Sequence, residues 1–241
     1  MLAQRDVQLE IIVVDDSAEG SARSAVASVD DPRVHYELRT EPSGGRPARV
    51  RNDGASLARG RYLYFLDDDD LLFPDTLSTM MRALDAAPDA GMAFGVILPF
   101  GADELRLHQQ QAYFVNARRL AAKLRTAHQL SASLIFCPAV LVNSACMARR
   151  SVFENVGGFD AGIPVCEDAD LWARIADATG FVFIDQPVVN YRTGATSLMH
   201  NLADGDAKLH VSYRYMQQKY RQAHGALKFL AMKLWARAFF H

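Results

Sequence analysis

The chain has 241 residues, half of them hydrophobic and 22% charged, with a formal net charge of −2. That is ordinary globular composition, long enough for one or two domains with a real core, and it carries no basic field of the kind that attracts nucleic acid. The three cysteines, Cys137, Cys146 and Cys166, lack paired spacing and read as free thiols, and the seven histidines make no zinc pattern. No apolar run reaches the ~18 residues that a membrane span needs, and no secretory leader is legible at Met1, so a reducing, cytoplasmic setting is expected.

In chain order, Leu9 to Val14 is a β-branched run followed by Asp15, Asp16 and Ser17. It reads as a central parallel strand with two acids at its C-terminal end, where open α/β sheets collect ligands. Asp16 or Ser17 is equally suited to capping the next helix. A short helix is predicted over Gly20 to Val29, and Arg33 to Leu38 alternates like a strand. A turn-rich loop, Glu41 to Pro47, precedes a helical pattern from Ala48, with Gly60 suited to the position just past its end. Arg49 and Arg51 stand shortly before an acidic run, placed to pair with its carboxylates or to contact a diphosphate.

That run is the centre of the sequence. Tyr62 to Leu66 has the content of a buried strand, and four carboxylates follow it, Asp67 to Asp70. Adjacent acids repel, and a bound cation is the commonest compensation. In an extended segment Asp67 and Asp69 would share one face. Their hard oxygens suit Mg²⁺ or Mn²⁺, ions that usually also hold substrate phosphates. A solvated acidic loop capping the next helix is the alternative.

Pro74 and Asp75 open a helix through Leu84, and Gly91 to Leu98 is another buried strand. Pro99 to Leu107 reads as a loop or hairpin, Gln109 to His128 as polar and partly helical, and the apolar stretch Ser131 to Val142 as a strand. A short helix, Ser151 to Val156, is closed by Gly157 and Gly158. Glu167, Asp168 and Asp170 begin a helix whose buried face holds Leu171, Trp172 and Ile175. These acids form a second reactive site or simply complement the helix dipole. Phe181 to Ile184 is a further strand. After Asn201 the chain becomes basic and amphipathic, and 226–241 suits either packing on its own domain or peripheral contact with a membrane.

With these residues in view, the chain resembles the family 2 glycosyltransferases of the GT-A fold over about residues 4 to 200. Four motifs in order carry the resemblance: Ile11 to Ser17, Arg51-Asn52 with Ala58-Arg59-Gly60, Phe65 to Pro74, and Gly157 to Asp160 with Glu167 to Trp172. The resemblance implies an α/β fold with a mainly parallel central sheet. It divides the chain into a transferase domain, 1–200, and a helical tail, 201–241. Within the domain, 1–108 would bind the nucleotide sugar and 109–200 the acceptor. It implies a metal-dependent, inverting transfer of a sugar from a nucleotide-sugar donor, expected to be a UDP-sugar, to a saccharide or lipid-linked hydroxyl in surface polysaccharide or glycolipid synthesis.

By the same resemblance, Asp15 and Asp16 would bind the nucleotide, with Asp16 on the base. Arg51, Asp67 and Asp68 would contact the donor. Asp69, flanked by Asp67, would ligate Mg²⁺ or Mn²⁺, and Asp168 would be the general base. Two departures stand out. A first strand and most of a first helix of the family pattern are not found before Gln4, which would leave an unpaired sheet edge and suggests a fragment or a misplaced start. Where many relatives carry a histidine after Tyr191-Arg192, this chain has Thr193-Gly194-Ala195. A catalytically inactive nucleotide-binding remnant is the rival reading. A nucleotidyltransferase is a second rival, and Gly44-Gly45-Arg46 is a poor phosphate loop for it.

Overall fold

The structure is a computed structural model that describes residues 1–136, 140–194 and 205–240. Cys137 and Ala195 lie outside the described residues. The first unit is a parallel pair, β1 (Ile11–Asp15) and β2 (Val34–Leu38), with α1 (Arg23–Ala27) between them and α2 (Pro47–Leu57) packed on β1. The second is a five-stranded sheet. It contains β3 (Tyr62–Tyr64), β4 (Leu71–Leu72), β5 (Met92–Phe100), β6 (Cys146–Arg149) and β7 (Phe181–Arg192), in the order β3-β6-β5-β7-β4. Only β5 and β7 run parallel within it, so the sheet is mixed rather than mainly parallel.

The difference traces to β6, which the sequence did not reveal. Its four residues pair antiparallel with both β3 and β5. Too short for a visible alternation, they lie directly before α6 (Arg150–Asn155) and merge with its pattern. β1 is likewise not central. Among the described residues its ladder runs to β2 alone, and its other edge faces β3 across a cavity of about 960 Å³. Residues 9–14 form one wall of this cavity and residues 60–68 another. No strand among the described residues pairs with the edge of β1 turned away from β2.

Two cores flank the larger sheet. On one face α7 (Glu167–Thr179) and α5 (Ala127–Phe136) bury Trp172, Leu171, Ile175, Leu130 and Leu134 against Phe94 and Met92. On the other, α3 (Thr76–Asp85) and α4 (Glu104–Ala121) bury Leu77, Met80, Leu84 and Phe114. Within the stretch Ser131 to Val142, where a strand was expected, residues 131–136 belong instead to the helix α5. An apolar run buried all round has no period to separate strand from helix. Its serines lose no hydrogen bonds in the helix, because Ser133 donates to Leu130 O and Ser131 to Ala173 O. The loop expected before Leu107 instead starts α4, where the Asp103 carboxylate accepts the Arg106 N–H at 3.0 Å.

The last element, α8 (Gly205–Phe240), is two helices joined at Gly225, whose φ of 80° and ψ of 161° interrupt the helical path. It packs on α5 and buries Met216, Tyr220, Met232 and Ala236.

Candidate active site

The acids at the end of β1 are built into the scaffold. The Asp15 carboxylate is buried and accepts four hydrogen bonds, from Ser17 N, Ser17 Oγ, Ala22 N and Tyr36 OH, all within 2.9 Å. Those donors hold its pKa well below the usual carboxylate range. Asp16 accepts from Ser43 N at 2.6 Å and Ser43 Oγ at 2.5 Å, and Arg39 Nε lies 3.1 Å away. Asp16 thus fastens the loop before α2 to the end of β1.

The Arg51-Asn52 pair explains why two distant sequence motifs travel together. Asn52 donates to Phe159 O at 2.8 Å and accepts from Phe159 N at 2.9 Å. This pair of hydrogen bonds fixes the turn Gly157–Asp160. A Cβ on Gly158, which sits at φ +66°, would come within 2.7 Å of Asn52 Oδ1, so glycine is required there. Arg51 donates one guanidinium nitrogen to Asp67 at 2.6 Å and the other to Glu167. Its planar fork joins the acidic run after β3 to the start of α7, although 116 residues separate Arg51 from Glu167.

The acidic run does not stay extended. Asp67 to Asp70 forms a turn closed by Asp70 N–H to Asp67 O at 3.1 Å, so the expected alternation of faces fails. The turn separates the carboxylates. Asp68 is exposed, Asp69 half-buried and Asp70 buried. Asp70 accepts the Arg192 N–H at 2.8 Å, its other oxygen lacks a hydrogen-bond partner among the described residues, and burial pushes its pKa up to about 6. Asp69 is also raised, by burial and then by the charges of Asp67 and Asp68. The short 3₁₀ segment Asn143–Ala145 clamps this region. Asp67 N–H donates to Ser144 Oγ at 3.0 Å, Tyr64 OH donates to Ser144 O, and Asn143 Nδ2 donates to Phe65 O.

At the start of α7 the three acids have separate fates. Glu167 is buried against Arg51. Asp170 is buried between Arg174 at 2.7 Å and Lys219 at 3.1 Å. Asp168 makes no ion pair among the described residues and accepts only the neighbouring Ala169 N–H, at 2.8 Å. Burial raises the pKa values of Glu167 and Asp168, Asp67 adds its charge, and Arg51 pulls both back. Asp168 is thus a half-buried carboxylate with raised basicity and free lone pairs. Burial pushes the neighbouring Cys166 thiol up to about 12, and that of the buried Cys146 up as well, so both are inert free thiols.

Among the described residues, no group of three or more side chains is placed to hold a metal. The donor set still fits Mg²⁺ or Mn²⁺. Such ions need only one or two protein carboxylates when phosphates and waters complete the shell. Asp69 is half-buried beside two like charges, the environment in which a cation is missed most.

Asp15 ends β1 and Asp16 follows it, Arg51 lies within α2, Asp67, Asp68 and Asp69 lie in the turn after β3, and Asp168 is in the first turn of α7. The sequence reading missed the anchoring Arg51–Glu167 pair, the buried Asp70 and the Ser144 clamp. Glu167 had a signal in its place beside Asp168, whereas Ser144 had none.

The fold has the GT-A architecture. Among solved structures, the mannosyltransferase PcManGT from Pyrobaculum calidifontis, in complex with GDP-Man and Mn²⁺, superposes with a TM-score of 0.68 at 18% identity. The match covers 99% of this chain and 63% of that one. TarS from S. aureus, in complex with UDP, gives 0.62 at 16% identity over 97% of this chain and 64% of that one. The chain belongs to the glycosyltransferase-like family 2, whose model matches residues 1–241. The succinoglycan biosynthesis protein ExoO of Rhizobium meliloti is 41% identical over 86 residues, 36% of this chain and 24% of that protein. The GalNAc(5)-diNAcBac-PP-undecaprenol beta-1,3-glucosyltransferase of Campylobacter jejuni is 41% identical over 76 residues, 31% of this chain and 24% of that protein. The chain thus aligns with about a quarter of the length of these two relatives. No helix of the described residues is long and apolar enough to cross a membrane.

Proposed function

We propose that the protein transfers a sugar from a nucleotide-sugar donor, in first place a UDP-sugar, to a hydroxyl of a saccharide or lipid-linked acceptor with inversion at the anomeric carbon. The observation that carries this reading is the Arg51 bridge. It brings the Asp67–Asp70 turn beside the start of α7 while leaving Asp168 without an ion pair among the described residues. An inverting displacement needs a base on one side of the sugar and charge neutralisation on the other.

In this reading Asp69, with Asp67, would hold Mg²⁺ or Mn²⁺, which when bound would offset negative charge developing on the leaving group. Asp15 and Asp16 shape the nucleotide end, and Asp68 and Arg51 border the diphosphate. Asp168 takes the proton of the acceptor hydroxyl as its oxygen bonds to the anomeric carbon. The bond from that carbon to the diphosphate oxygen breaks, and the nucleoside diphosphate leaves with the electron pair. Residues 1–108 form the donor half and 109–200 the acceptor half. Complexes of structural neighbours with UDP and with GDP-Man and Mn²⁺ support the class of donor and ion, and the undecaprenol-linked relative supports the class of acceptor.

Calorimetric titration of UDP with and without Mn²⁺ tests the donor site. Binding that needs Mn²⁺ and disappears in Asp69→Ala is expected. Asp168→Asn should keep that binding and lose turnover by ~10²-fold or more, the usual scale for a general base. A folded sample that binds no UDP, or an Asp168→Asn variant with full turnover, would overturn the assignment and favour the inactive-remnant reading.

A further inference from the structure

The charge of this chain is strongly segregated. Residues 207–241 hold seven Lys and Arg and no Asp or Glu, while the other 206 residues hold 19 Lys and Arg against 28 Asp and Glu. Nearly all of the basic segment is α8. Part of its charge is spent on the body of the protein. Lys219 reaches Asp160 and Asp170, and Lys228 lies 3.5 Å from Asp177. Lys208, Arg214, Arg221, Lys233 and Arg237 make no ion pair among the described residues.

The half of α8 after Gly225 is also two-faced. Its inner face is seated, with Met232 and Ala236 buried and Phe229 edge-on to Phe136 at 5.1 Å. On the outer face, Leu227, Leu230 and Leu234 are 86%, 52% and 55% exposed. At 3.6 residues per turn they share one stripe with the exposed Ala231 and Ala238. Arg237 and Lys233 run along one border of that stripe and Lys228 along the other. Three exposed leucines on an already packed helix are not needed to hold the fold together. An apolar stripe edged by cations and free of acids is the pattern that lies in a lipid interface.

We propose that the helix over residues 226–240 docks the protein on an anionic lipid surface. Leu227, Leu230 and Leu234 enter the acyl boundary, and Lys233 and Arg237 meet the phosphates of the headgroups. Charge complementarity favours this partner over a second copy of the chain, whose matching face would bring the same cations together. The inference does not depend on the transferase reading, because its test contains neither donor nor acceptor.

The test is flotation of the full chain with vesicles of phosphatidylcholine alone and of phosphatidylcholine mixed with phosphatidylglycerol. Binding to the mixed vesicles is expected, at least ~10-fold stronger than to the neutral ones and weakened as salt shortens the screening length. A Leu227→Ser, Leu230→Ser, Leu234→Ser variant should lose ~10-fold or more of that binding with an unchanged urea midpoint, since those side chains are exposed. Lys233→Glu with Arg237→Glu should abolish the preference for anionic vesicles. Absence of binding, or binding that ignores the leucine substitutions, overturns the proposal. So does a dimer in sedimentation equilibrium that the leucine variant dissociates, which would assign the stripe to a second copy.

Discussion

Arg51 is the residue on which the arrangement of the site depends, and its removal has a calculable cost. In Arg51→Met the apolar stem survives and the guanidinium is lost. Glu167, its side chain 6% exposed, is then a buried carboxylate without its cation, while Asp67, 36% exposed, keeps much of its hydration. Breaking a buried pair from one side costs about 3–5 kcal/mol, whereas the more exposed half of the fork is worth about 0–1 kcal/mol. We expect Arg51→Met to lose about 3 kcal/mol or more, read from the urea midpoint at constant slope. Glu167→Gln leaves Arg51 with Asp67 and an amide oxygen, for a loss of about 1 kcal/mol. The double variant buries no unpaired charge, so it should be about 2 kcal/mol more stable than the sum of the single losses predicts.

The pH dependence gives a second reading of the same variant. Arg51 lowers the pKa values of Glu167 and Asp168, so its loss raises both further. A carboxyl whose folded pKa lies above its unfolded value binds more protons when folded, and stability falls as pH rises through that window. The deficit of Arg51→Met relative to the parent should therefore be larger at about pH 8 than at about pH 5. Additive losses in the cycle, or a deficit that shrinks with rising pH, would refute the view that Arg51 neutralises a buried Glu167.

Two further expectations concern β1. Asp15 has a depressed folded pKa, so its contribution to stability is present above its unfolded pKa and is lost as pH falls; Asp15→Asn should flatten the acid limb of a stability–pH curve, which urea titrations between about pH 3 and pH 7 would show. Ile11 N–H donates to Arg33 O and Arg39 N–H to Asp15 O, which turns alternate amides of β1 toward β2 and leaves those of Ile12 and Val14 facing the cavity beside β3. Amide hydrogen exchange should find Ile12 and Val14 faster than Val13, and equal protection at all three would mean that this edge is covered in solution.

What the sequence made legible follows a physical line. β2, α3 and β5 were readable because each is long enough to repeat its period and is bounded by Pro, Gly or Asp. The acids at the ends of β1 and β3 and at the start of α7 were readable because clustered carboxylates are costly wherever they stand. The partner of each acid was not readable. Asp15 and Asp170 look the same in sequence as Asp168, and only the fold shows that donors surround the first and cations flank the second, while the third keeps free lone pairs. The bridge from Arg51 to Glu167 and the bond from Asp67 to Ser144 span 116 and 77 residues. No local pattern encodes such pairs, because their geometry exists only after the sheet has formed.

The same distinction explains the division of labour among the acids. A fold can afford carboxylates at a reactive cleft only if most of them are neutralised by groups it already owns. Asp15 is held by four donors, Asp16 by Ser43 and Arg39, Glu167 by Arg51, and Asp170 by Arg174 and Lys219. Asp69, Asp70 and Asp168 remain, each with its pKa raised and none in an ion pair among the described residues; of these Asp70 is buried and accepts the Arg192 N–H. In the proposed function Asp69 and Asp168 are the two whose partners would be a bound cation and an acceptor hydroxyl, and they come from the two regions that Arg51 holds together. One guanidinium thus fixes both regions while neither Asp69 nor Asp168 is completely buried.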